Sequence, residues 1–83
     1  MIKFMLFIEL KADDGSVGDG VLEKEVNWPV LPRIGEQLAL EGNASIVTGV
    51  THDISKAVVE VYTQVDKTDF HRLAAFDGYK RSF

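Results

Sequence analysis

The chain has 83 residues, a formal net charge of −4 and no cysteine. A chain of this length makes one domain, residues 1–83, and the missing thiols exclude disulfides, thiolate catalysis, Cys-ligated zinc and Cys-ligated iron–sulfur clusters. Small secreted domains usually need disulfide staples, so a cytoplasmic protein is expected.

Five Phe, two Tyr and one Trp are spread along the chain, which argues against disorder. The charge is uneven. Residues 1–35 carry 4 basic and 6 acidic groups, residues 36–65 carry 1 and 4, and residues 66–83 carry 4 and 3. The first two stretches are therefore acidic and repel phosphate backbones at long range, and the weakly basic tail does not reverse this.

The apolar run over residues 1–8 resembles the start of a signal peptide. It is cut at Glu9, however, and no small-residue cleavage site follows. A buried strand over residues 2–10 is expected instead, with Ile2, Phe4, Leu6, Ile8 and Leu10 on one face. Met5 and Phe7 make the second face apolar too, so some element is expected to cover it. No stretch approaches the ~20 apolar residues of a membrane span.

Residues 12–20 hold three Gly and three Asp and read as a loop. Asp13, Asp14 and Asp19 are the nearest approach to a cation site, but their spacing fits neither a calcium loop nor a phosphate loop, and a solvated loop is expected. A second strand follows over about residues 20–28. Leu22, Val26 and Trp28 share a face with Lys24, which suggests an edge position, a bulge or a snorkelling side chain. Pro29 and Pro32 cannot donate ladder hydrogen bonds, so the connection to Gly35 runs outside the sheet interior.

The next two strands, about 37–41 and 45–54, form a hairpin around Gly42 and Asn43. Parity favours a three-residue loop that sets Leu40 opposite Ile46 and gathers Leu38, Leu40, Ile46 and Val50 on one face. The alternative two-residue loop sets Leu40 opposite Ser45. A fifth strand over 57–65 presents Ala57, Val59, Val61 and Val65 on one side, with Val58 and Tyr62 on the other. The period then changes. Asp66 is an N-cap for a helix over about 67–77, with Phe70, Leu73 and Ala74 as its apolar stripe and Gly78 as its stop. A helix this short must dock to be stable, and the second face of the first strand, at Met5 and Phe7, is the expected dock.

The expected fold is thus mostly β with a C-terminal helix: a small, partly open barrel or a strongly curled antiparallel sheet. Residues 32–42, followed by the Ile46-Val47-Thr48-Gly49-Val50 strand, resemble the central hairpin of small SH3-like barrels. The shared pattern is a Gly-acidic pair, alternation, a glycine turn and a mid-strand glycine. That resemblance implies a binding or adaptor module more often than an enzyme.

Few residues suggest chemistry. His52 adjoins Asp53, but strand neighbours point to opposite faces, and His71 lies elsewhere on the helix. No catalytic residue, metal ligand or cofactor is expected. The preferred functional residues are Trp28, Pro29 and Arg33, because exposed Trp and Arg are enriched in binding hot spots and prolines stiffen the loop that presents them. The competing expectation for Trp28 is burial in the core. Three functions follow in order: a non-enzymatic protein-interaction module, a nucleic-acid-binding barrel, and a ligand or enzyme site at a homodimer interface. The acidic balance disfavours nucleic acid, no membrane partner is expected, and free strand edges leave a homodimer open.

Overall fold

The computed structural model describes residues 1–12 and 17–82, with the side chain of Val17 left aside; Asp13 and Asp14 of the acidic loop lie outside the described residues. Seven elements follow in order: β1 (Ile2–Lys11), β2 (Val17–Trp28), β3 (Gln37–Leu40), β4 (Asn43–Asp53), β5 (Val58–Val65), α1 (Lys67–Ala74) and β6 (Lys80–Arg81). The strands form one sheet in the order β3-β4-β5-β1-β2-β6. The domain is mostly β with one C-terminal helix. Its sheet neither closes nor curls strongly.

The sheet is also mixed rather than purely antiparallel. β1 pairs antiparallel with β2, from Ile2 opposite Trp28 to Glu9 opposite Val21, and parallel with β5, from Met5 opposite Glu60 to Leu10 opposite Val65. A parallel pair needs a long connection. Here the whole excursion through β2, β3 and β4 supplies it, which a reading by successive hairpins does not reveal.

The alternation in β1 decides the core. Phe4, Leu6 and Ile8 are buried and meet Leu22 of β2, Val47 of β4, and Val61, Thr63 and Val65 of β5. The hydroxyl of Thr63 is buried among them but satisfied: it is paired with the Ser45 hydroxyl and donates to the Ile46 carbonyl at 2.7 Å. Satisfied hydroxyls of this kind avoid the desolvation penalty of an orphaned polar group.

Helix α1 begins at the expected cap, where the Asp66 carboxylate accepts from the Asp69 backbone N–H at 2.8 Å. It ends at Ala74, three residues short of the expected end, and Ala74 and Phe76 are exposed. Its dock differs from the expectation. Phe70 and Leu73 lie on the Phe4, Leu6 and Ile8 face, not on Met5 and Phe7. Gly20 shows this directly, because a Cβ built there would come within 2.8 Å of the Phe70 ring. By alternation Gly20 shares a face with Leu22, which opposes Ile8. The physical reason is that the helix offers only two fully buried side chains, enough to cover one face, and the larger apolar face takes them. Beyond the helix, Gly78 turns the chain at a φ of 92° and β6 pairs with Leu22 and Glu23 of β2.

The β3–β4 register also departs from the expectation. Leu40 opposes Asn43 and Leu38 opposes Ser45, around a turn of Glu41 (φ 51°) and Gly42 (φ 99°). Two successive positive φ values make the tight hairpin turn whose twist matches the strands. A register shift between Val47 and Gly49 then lets both Val47 and Val50 face the core. The parity argument assumed an unbroken strand, and the bulge breaks it. Ile46 is 46% exposed as a result.

The hairpin tip is anchored to the helix. The Arg72 guanidinium donates to the carbonyls of Leu40 at 2.9 Å and Glu41 at 2.8 Å, while Asp69 accepts from the Asn43 amide at 2.7 Å and from Arg72 Nε at 3.1 Å. The Asn43 and Arg72 hydrogen bonds hold the Asp69 carboxyl below its usual range.

Candidate protein-interaction site

β2 meets β6 only at Leu22 and Glu23, so among the described residues its edge from residue 24 to residue 28 has no ladder partner. β3 is likewise paired on one side only, to β4. Between these two edges lies a cleft of about 320 Å³. Phe4 and Leu6 of β1, Val26 and Trp28 of β2, and Leu38 and Leu40 of β3 supply its apolar lining. Pro32, buried, comes from the connection between the two edge strands.

Trp28 is 56% exposed at this cleft, which removes the expectation of a core tryptophan. The cause is positional. Trp28 is the last residue of β2, opposite Ile2 at the start of β1, where the sheet ends and no layer covers it. Pro29 and Arg33 are exposed beside the cleft without lining it. The backbone N–H of Arg33 donates to Glu36 Oε1 at 2.6 Å within a turn that Glu36 closes by donating to the Arg33 carbonyl at 3.0 Å, and Gly35 follows at a φ of 91°. The guanidinium of Arg33 makes no hydrogen bond or ion pair among the described residues.

Three polar groups of the lining are linked. The Lys24 ammonium stands 4.7 Å from the centre of the Tyr79 ring, and the Tyr79 hydroxyl donates to Glu41 Oε1 at 3.1 Å. Burial first, then the Glu41 hydrogen bond and charge, push the Tyr79 phenol up to about 12. Lys24 thus crosses an apolar face by resting its cation on an aromatic ring. The sequence reading named Trp28, Pro29 and Arg33 but not Lys24, Leu38 or Tyr79. A lysine on an apolar strand face was the available signal, and its ring partner 55 positions later could not be read from spacing.

His52, opposite Val59 in the β4–β5 ladder, and His71, on the helix, are both exposed on different elements. Among the described residues no group of three or more His, Asp or Glu is placed to hold a metal ion. No helix is long and apolar enough to cross a membrane. No protein-family model matches the chain, and neither a curated protein nor a solved structure matches it.

Proposed function

We propose that this chain is a non-enzymatic protein-interaction module that accepts an extended segment of its partner in the cleft between β2 and β3. One observation carries the reading: the cleft lies between two strand edges without ladder partners, with Trp28 exposed at it. An added strand gains main-chain hydrogen bonds from such an edge, and pockets for alternate side chains set its specificity. Leu38, Leu40 and Val26 supply the apolar pockets, while Trp28 is an anchor of the kind that dominates binding energy. Arg33, whose guanidinium has no hydrogen-bond or ion-pair partner among the described residues, is available to a carboxylate on the bound segment.

Selection from a displayed library of random extended peptides tests this. The expected binders carry apolar residues at alternate positions and lose about tenfold or more in affinity against Trp28→Ala, the usual effect of truncating a hot-spot tryptophan. Binders indifferent to Trp28→Ala would contradict the proposal, as would a selection that returns none.

A further inference from the structure

Among the described residues no element covers the sheet face turned away from the helix. Met5 and Phe7 of β1 and Tyr62 and Val58 of β5 lie on it half-buried, and the Phe7 and Tyr62 rings stack with centroids 5.4 Å apart at 19°. The ladder registers place Glu9, Glu23, Glu25, Glu60 and Asp53 around this apolar strip, with Lys3, Lys11 and Lys80 as the opposing cations, Lys80 directly across from Glu23. Carboxylates outnumber ammonium groups on this face. Lys3 is itself committed to Glu25 at 2.6 Å. The Tyr62 phenol feels the resulting field: besides burial and its hydrogen bond to Glu60, the charges of Glu60, Glu9 and Asp53 raise it to about 12.

We infer that this face is a second binding surface, for a partner segment that alternates Arg or Lys with apolar side chains. A guanidinium stacks on exposed aromatic faces and pairs with flanking carboxylates, so the Phe7–Tyr62 stack inside an acidic rim fits it on both counts. The apolar side chains of the segment would cover Met5 and Val58. A second copy of this chain is the wrong occupant, because it would bring one acidic rim against another. The inference does not rest on the cleft, which opens on the helix side of the sheet.

The test is a nuclear magnetic resonance titration of the intact chain with a short peptide alternating arginine and leucine, and with its glutamate-for-arginine counterpart. The arginine peptide should move the Met5, Phe7 and Tyr62 resonances and weaken as salt is raised. Glu23→Lys and Glu60→Lys should each lower its affinity by about tenfold, whereas Asp77→Lys, the same charge change at an exposed turn away from this face, should leave it within about twofold. Unchanged core-face resonances in the variants would show that they are folded. Equal binding of the glutamate peptide, equal loss in all three variants, shifts centred on Trp28 and Leu38, or no shift at all would each overturn the inference.

Discussion

Replacing Gly20 with alanine probes the seating of the helix on the sheet. Gly20 lies in β2 and its φ is not in the left-handed region, so the backbone accepts an alanine. On conformational entropy alone that change stabilises a strand by roughly 0.5–1 kcal/mol. The new methyl, however, would meet three atoms of the Phe70 ring at 2.8, 3.2 and 3.3 Å, closer than carbon atoms tolerate. Phe70 is 1% exposed, so the ring cannot swing out to solvent without giving up its burial. Overpacking of this kind costs about 1–3 kcal/mol, so the net effect lies between zero and a loss of roughly 2.5 kcal/mol. Gly49→Ala is the matched control, because its methyl would sit 3.6 Å from the Tyr62 ring in ordinary contact. Urea unfolding followed by circular dichroism should show a lower midpoint for Gly20→Ala than for Gly49→Ala at unchanged slope, with Gly49→Ala stabilised by roughly 0.5–1 kcal/mol. Adding Phe70→Leu to Gly20→Ala should cost less than the sum of the two single changes, since the shorter side chain relieves the clash. A Gly20→Ala variant stabilised by the full entropic gain would refute the placement of the helix on the Phe4 face.

Leu73→Ala should destabilise by about 2–5 kcal/mol, a large fraction of the stability of so small a domain, and unfolding near room temperature is the expected readout. Asp69 links stability to acid: its folded carboxyl is held below the ordinary value, so its contribution is present above that value and is lost as pH falls through the folded one. Asp69→Asn should therefore flatten the fall of the urea midpoint at low pH. The two tyrosines give the opposite sign. Both phenols are raised to about 12 from an ordinary 10, so the neutral form stabilises the fold below pH 10 and this contribution fades toward 12. Phenolate absorbance should show both ionising well above pH 10 in the folded chain, and Tyr79→Phe should remove one of the two steps.

The legible and illegible parts of the fold separate by range. The alternation of β1 and the Asp66 cap depend on residues within a few positions of each other, and both are visible in the sequence. The β3–β4 register depends on a bulge at Val47 and Gly49 that parity cannot see, and on a positive φ at Glu41, a residue that seldom adopts one. Both faces of β1 are apolar, so the alternation alone cannot say which one the helix covers. The contact between Gly20 and Phe70, fifty positions apart, makes that choice. β6 is only two residues long and carries no periodic signal. At the candidate site Trp28 stands out by residue type, but its exposure follows from its place at the end of β2, and the cleft beside it is formed by strands β2 and β3, which the order of the sheet, not the sequence pattern, brings together.

The central claim, that a partner segment lies along those free edges, is tested most directly by amide hydrogen exchange of the intact chain with and without a selected extended peptide. Binding along the edges predicts new protection confined to the outward-facing amides of residues 24–28 or of Gln37–Leu40, with little change elsewhere in the sheet. Tight binding that leaves those amides exchanging at their free rates would contradict it.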